Sequence, residues 1–544
     1  MGEKNESFSL LYPDGYTNQE KDRHQMKNYD FIKALQIDDM ITLPKSEYFG
    51  GTSDLGRYFT TDTRVLKYRL DIVGDIVSDR AVYDVFMKAI PIIQNISELR
   101  KILSRDFSAE SSLSSIRILE MYEEIVDLFY GGLKDTAFKS EGLKRFRQKL
   151  EEIVGGEEYQ NLKSDLPKMQ MNFGALKSVT VGINLDELLQ AKEAGVIEIN
   201  KEPFKSGDLM VKLLKKPKKK DSFLGLTPMI GLARNLHQAE QASINQSIQI
   251  ALTSVFHKAI RQFEPLVQKY FSASTAFFVQ LLDDLRFYCA GVKFIYEMKD
   301  LGFDMCKPEV AGLQEKKCSL TAVYNPKLAR SLIEKTIVSN EFCFDENGRF
   351  YLVTGPNHGG KSIFAYSVGM AQAIFQLGLY VPAKEAVMSP VTGIFTHFPS
   401  SDEDNFGKGR LESECARLSD ILKQLSDTDM LLMDESFSST SGLEAGYIAS
   451  EVLTGIGVIG CGGIYVTHIH DLSMQAAEYN SHPLNKGKID NLVAVMKDSE
   501  KGIRSYHVER TVPDGLSYAK DIAGQYGLNL EAILKGTEAK KTEA

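Results

Sequence analysis

The feature that most constrains this chain is Gly355-Pro356-Asn357-His358-Gly359-Gly360-Lys361-Ser362, a complete phosphate-binding loop. It follows the apolar run Arg349–Thr354 and opens a helix-like run from Ile363 to Leu377. That strand–loop–helix setting separates a working P-loop from a glycine-rich turn before an ordinary helix. Gly355 and Gly360 let the backbone curl so that several N–H groups aim at phosphate oxygens, and the helix adds the positive end of its dipole. Lys361 can then reach the β- and γ-phosphates, and Ser362 can hold Mg²⁺. All eight residues are candidate nucleotide contacts, with ATP and Mg²⁺ the implied cofactors.

At 544 residues the chain exceeds one hydrophobic core, and two to four domains are expected. Its 43% hydrophobic and 25% charged residues describe an ordinary soluble globular protein. The start, Met1-Gly-Glu-Lys-Asn-Glu, has no apolar core of a signal peptide, and no run approaches about 18 apolar residues, so no membrane span is expected. Cys289, Cys306, Cys318, Cys343, Cys415 and Cys461 are scattered without a Cys-x-x-Cys pair. This argues against a disulfide framework or zinc site and suits a reducing cytoplasm. A net charge of −9 cuts mildly against a nucleic-acid partner, although binding uses local patches. The clearest patch is Lys215, Lys216, Lys218, Lys219 and Lys220, which reads equally as a solvated loop or as phosphate contacts.

Residues 1–45 are polar and without sustained periodicity, and read as a tail or short lead-in. Residues 46–320 form a mostly helical core and lever, as in Arg80–Ile90 and Ser115–Phe129. Within it, 168–222 reads as a β-rich, lysine-rich, clamp-like insertion, with strands at Lys177–Ile183, Val196–Ile199 and Asp208–Leu214. Ile244, Ile248, Ala251, Val255 and Ala259 then make one apolar helical face, Pro265 should kink or end that helix, and Phe278, Leu282, Leu285 and Cys289 continue on the next. From 321 to 530 strands alternate with helices, the candidate strands being 349–354, 391–397, 430–434, 462–467, 489–497 and 503–510. That is an α/β P-loop domain with the nucleotide at the strand ends. A polar tail, 531–544, follows.

Asp429–Asp434 is an apolar run ending in two carboxylates, Asp434 and Glu435, about 70 residues after the loop. Asp434 has the position to hold a Mg²⁺-bound water beside Ser362, and Glu435 to orient or deprotonate an attacking water. Ser438–Gly442 is a small polar loop before a helix. Gly462–Thr467 is a further strand ending at His468, on the adjacent strand of such a sheet and so within reach of the γ-phosphate.

In this order, the four elements resemble the ATPase domain of the MutS family of DNA mismatch-repair proteins. The family's loop differs mainly by a methionine where His358 stands. Asp434–Glu444 looks like its Walker B and D-loop, with Thr440 and Ser441 in register. Thr467-His468-Ile-His-Asp-Leu472 is similar to its Thr-His switch, and Tyr506-His-Val with Gly515–Ala523 resembles its closing strand and helix. Upstream, Arg69–Val73 and Leu282–Leu285 look like the ends of the family's helical core and lever. Asn325-Pro326 and Val338–Asn340 stand where the family places its base-side loop.

The resemblance implies a multidomain, ABC-like ATPase acting as a homodimer on mismatched or branched double-stranded DNA, with long helices carrying ATPase closure to a DNA-embracing end. It also has departures. Too little chain precedes the helical core for the family's N-terminal mismatch-reading domain, and no Phe-x-Glu motif appears. The signature loop Ser-Thr-Phe-Met is replaced by Gly409-Arg410-Leu411-Glu412 leading into Ser413, so Arg410 and Ser413 are the candidates for a contact to the partner subunit's nucleotide. A second reading is a nucleotide-regulated protein-interaction module that binds no DNA. A transporter-type ATPase fits less well, for want of a Leu-Ser-Gly-Gly-Gln signature.

Overall fold

The computed structural model describes residues 8–43, 55–103, 109–174, 178–185, 187, 191–200, 230–231, 264–331, 337–399, 409–437, 439–498 and 503–511, with a few positions between 526 and 534. The lysine run, the 208–214 strand, the 244–259 apolar face and the expected closing helix, 515–523, lie outside these residues. Two compact units emerge: one from 1–83, 138–143 and 286–544, the other from 84–137 and 144–285.

The first unit is built on a six-stranded sheet. Its order across the sheet is Ile503–Glu509, Ile489–Asp498, Phe350–Thr354, Gly462–Val466, Met430–Asp434 and Ile394–His397. The last five are mutually parallel, and Ile503–Glu509 is the antiparallel edge. Phe350–Thr354, Met430–Asp434 and Gly462–Val466 are buried at every residue, as a parallel sheet covered on both faces requires. Phe350, Leu352, Leu431, Met433 and Tyr465 share one core with Ala445, Ala449, Leu453 and Ile456 of the helix Gly442–Ile459. That helix is long and apolar enough to cross a membrane by length and composition alone, which the sequence reading did not anticipate.

The helix after the loop, Lys361–Gln376, is buried over nearly its whole length. Two glutamines inside it donate to buried acceptors, as buried amides tend to, although Gln372 Oε1 has no partner among the described residues. Gln372 donates to the Ser389 carbonyl at 3.0 Å, and Gln376 exchanges hydrogen bonds with the backbone of Val391 at 2.9 and 3.0 Å. A second sheet of four short strands runs in the order Glu309–Val310, Glu385–Met388, Cys318–Val323, Asn340–Cys343.

Residues 8–43 differ from the loose lead-in expected of them. Leu10, Leu11, Phe31, Leu35, Ile37, Met40 and Ile41 are buried. The Lys27 N–H donates to the Thr392 carbonyl, its ammonium meets the fully buried Asp429 carboxylate at 2.6 Å, and Asn28 donates to the Ile394 carbonyl at 2.8 Å. Residues 55–83 and 286–320, read as part of the helical domain, also cluster with the ATPase unit. The cause is visible at Arg69, fully buried, which donates to the carbonyls of Leu11, Tyr58 and Leu377 and lies under Gly378.

The second unit is helical. Phe129 packs on Phe86, Phe146 and Phe278 with ring centroids 6.1, 5.1 and 5.7 Å apart. Glu157–Gly174 is helix, so the β texture starts at 178 and not at 168. Ser178–Leu185 and Ala191–Asn200 then pair as an antiparallel hairpin, with Ile230–Gly231 added alongside. Pro265 sits in the first turn of the helix Glu264–Asp300, where its missing N–H costs no hydrogen bond.

Candidate functional site

The parallel register brings the ends of three strands together. Val353 lies opposite Val466, and Val466 opposite Asp434, so the loop after Thr354, the Glu435 turn and the Thr467-His468 turn leave the sheet at one edge. The loop curls as its glycines allow: Gly355 has φ +125° and Gly360 φ +88°, with His358 at +58° between them. A Cβ at Gly355 would stand 2.7 Å from the Ala494 carbonyl oxygen, so only glycine fits there. The helical N–H groups of Lys361, Ser362 and Ile363 precede the first intrahelical bond, from the Phe364 N–H to the Gly360 carbonyl, and so are free of intrahelical acceptors. Lys361 Nζ, nearly buried, donates to the Gly355 and Pro356 carbonyls at 3.0 Å each.

Ser362 Oγ donates to Asp434 Oδ1 at 3.0 Å, and Tyr366 OH donates to Asp434 Oδ2 at 3.0 Å. Glu435 follows in a left-handed conformation, φ +46°, and its Oε1 accepts from His468 Nε2 at 2.6 Å. Thr467 is buried, donates its N–H to the Val353 carbonyl, and caps the Ile469 N–H with its hydroxyl at 3.1 Å, which fixes the turn that presents His468. The structure thus gathers Lys361, Ser362, Asp434, Glu435 and His468 at one place.

The electrostatics follow from burial. Desolvation pushes the Asp434 carboxyl up, opposed by the Ser362 and Tyr366 hydrogen bonds. Desolvation pushes the Lys361 ammonium down, opposed by the Glu435 and Asp434 charges. Burial and Asp434 push the Tyr366 hydroxyl above its usual range, so it stays a donor. A cation beside Asp434 and an anion beside Lys361 would each relieve a desolvated charge. The residues present therefore fit a nucleoside triphosphate with Mg²⁺: Ser362 and Asp434 supply hard oxygen donors side by side, and the glycine loop supplies N–H groups.

The signature-position residues sit on the helix Arg410–Gln424, capped by Gly409. Arg410 is exposed and has no hydrogen-bond or ion-pair partner among the described residues, and no bond joins it or Ser413 to Lys361, Asp434 or Glu435. Ser441 caps the helix Gly442–Ile459 through the Glu444 N–H, and Glu444 accepts from Thr440 and Ser441. At the base-side positions, Asn325 caps a short helix through the Leu328 N–H, and Asn340 bonds the backbone of Tyr506 and Val508. Tyr366, His397 and Ser436 were missed by sequence reasoning. Tyr366 reaches Asp434 from the helix Lys361–Gln376, His397 reaches Ser436 from the neighbouring strand, and Ser436 follows Glu435 inside the Asp434–Glu444 stretch without a role assigned to it there.

A family model described as MutS domain V matches residues 351–541, the stretch that carries this whole site. A second, described as MutS2 N-terminal domain, matches 61–301. The chain belongs to the MutS family. Among its MutS relatives, the DNA mismatch repair protein MutS of Prochlorococcus marinus (strain MIT 9312) is 29% identical over 225 residues, covering 41% of this chain and 24% of the relative. The protein of the same name from Chlorobium phaeobacteroides (strain DSM 266 / SMG 266 / 2430) is 30% identical over 240 residues, 43% of this chain and 26% of its own length. That of Petrotoga mobilis (strain DSM 10674 / SJ95) is 22% identical over 555 residues, 95% of this chain and 65% of its own. This MutS-family chain therefore spans 24% to 65% of the length of these three curated relatives.

Proposed function

We propose that this chain is an ATP-dependent, MutS-type DNA-binding protein of the cytoplasm. It hydrolyses ATP and couples nucleotide-driven closure of a homodimer to recognition of mismatched or branched double-stranded DNA in repair. The observation that carries the reading is the meeting of the Lys361 loop, the Ser362–Asp434 pair and the Glu435–His468 pair at one sheet edge. The loop Gly355–Ser362 binds the phosphates through the backbone N–H groups of its residues other than Pro356, and Lys361 turns from the loop carbonyls to neutralise their charge. Ser362 and Asp434 would hold Mg²⁺, whose chemistry is to neutralise charge on the bridging oxygens and fix their orientation. Glu435 orients the attacking water and takes its proton, while His468 holds Glu435 and reports the γ-phosphate.

Closure is supported by an exposed apolar set next to the site. Leu443 and Tyr447 are 87% and 72% exposed on the helix that follows the Thr440-Ser441 loop, and Met474 is exposed on a helix touching it. Arg410 and Ser413 would supply the contact to the partner's nucleotide. Lys215, Lys216, Lys218, Lys219 and Lys220 would contact DNA phosphates, in a salt-sensitive way and without reading bases.

The experiment is a gel-shift titration at low salt on duplex, mismatched and branched DNA, with sedimentation of the Glu435→Ala protein in ATP. The reading expects a shift on at least one DNA and an ATP-dependent dimer that Tyr447→Asp weakens. No DNA binding with or without ATP would instead favour a nucleotide-regulated protein-interaction module, the reading that the net charge of −9 supports.

A further inference from the structure

The strand Ile394–His397 ends beside the carboxylates, and His397 is 1% exposed. Both ring nitrogens are engaged: Nε2 lies 3.2 Å from the Glu414 backbone carbonyl and Nδ1 2.7 Å from Ser436 Oγ. A carbonyl only accepts, so Nε2 carries the proton, and Nδ1 accepts from the Ser436 hydroxyl. Ser436 stands between Glu435 and Phe437, at φ +46° and +67°. Left-handed non-glycine residues on both sides persist only where the surroundings over-determine them. Here the surroundings are His397 on the Ser436 hydroxyl and Tyr465, whose OH donates to the Ser436 carbonyl at 3.2 Å.

The next residue makes a second bridge. The Phe398 ring lies 4.6 Å from that of Tyr366, which donates to Asp434, and the Phe398 carbonyl accepts from the Arg417 guanidinium. Glu414 and Arg417 lie on the same helix, Arg410–Gln424, which begins at the diverged signature position. Two adjacent residues therefore tie both carboxylates of the site to one helix.

We propose that His397 is a positioning residue for hydrolysis: through Ser436 it sets the backbone of Glu435, and through the Glu414 carbonyl it makes that setting follow the Arg410–Gln424 helix. Tyr366 and Phe398 make the parallel connection to Asp434. A partner or nucleotide that displaces the helix then changes turnover and leaves ATP affinity alone. The inference rests on the ATPase reading above.

The test separates kcat from ATP affinity. His397→Phe keeps a ring in the buried site and loses both hydrogen bonds. It should lower kcat about tenfold or more, with the Kd of a fluorescent ATP analogue within about twofold of wild type. His397→Asn keeps an acceptor where Nδ1 stands and should recover most of the rate. Ser436→Ala should reproduce the loss, and the double variant should be no slower than either single one, since both cut one connection. A wild-type kcat in His397→Phe, or a rate and affinity that fall together, overturns the proposal. Should His397→Phe not fold, Ser436→Ala decides by the same criterion. A wild-type protein that binds ATP analogue but never hydrolyses ATP refutes the ATPase reading itself, before any variant is compared, and this proposal falls with it.

Discussion

Glu435 and His468 are joined by a 2.6 Å hydrogen bond across two neighbouring strand ends, and each is about 40% exposed. Neither is needed to hold the sheet together, so their replacement should act on chemistry before stability. Glu435→Ala should bind ATP analogue normally and lose turnover by about 100-fold or more, the range for a missing general base. Normal steady-state hydrolysis in that variant would remove Glu435 from the role assigned to it. His397 behaves differently because it is buried. Desolvation first, then the Arg417 charge, lower its pKa from an ordinary 6.5 to about 4, against the Glu414 carbonyl bond that raises it. Between those values the unfolded chain binds a proton that the folded protein does not. The stabilisation is complete above the unfolded pKa and lost as pH falls toward 4, with a slope of up to about 1.4 kcal/mol per pH unit. Urea midpoints from pH 7 to 5 should fall more steeply in wild type than in His397→Asn; identical slopes would mean the imidazole is not held neutral.

At the scale of elements, the sheet was legible and its accessories were not. Each of the six expected strands appears within a few residues of its place, because apolar runs bounded by glycine, carboxylate or turn residues have few other uses. The glycine loop and the Asp434-Glu435 pair stand out in the sequence for a related reason: the chemistry proposed for them needs particular residues at contiguous positions. The link from Ser436 through His397 to Glu414 joins a turn, a strand end and a helix that are far apart in the chain, so no contiguous motif marks it. Residues 8–43 failed for the opposite reason, since Leu10, Leu11, Phe31 and Leu35 show no sustained period although the fold buries them. Their packing makes a prediction. Among the described residues, Lys27 is the only ammonium on Asp429, which otherwise accepts from Ser426 and Thr392. Lys27→Ala should cost about 2 kcal/mol, less than a fully buried pair because Lys27 is one-third exposed. A denaturation midpoint unchanged by this substitution would show that the segment adds nothing to the ATPase unit.

For the whole molecule, family membership, the two matched regions and one gathered site belong together. The site lies inside residues 351–541, and the helical and hairpin unit overlaps the second matched region, 61–301. What joins them in function is the proposed coupling of ATP to DNA, and it is most directly tested by steady-state ATP hydrolysis. The assay compares no DNA, homoduplex, mismatched duplex and four-way junction, with Lys361→Ala as the control. The account predicts hydrolysis that one of these DNAs stimulates and that Lys361→Ala abolishes. Robust hydrolysis indifferent to every DNA, or activity that survives in Lys361→Ala, would contradict it.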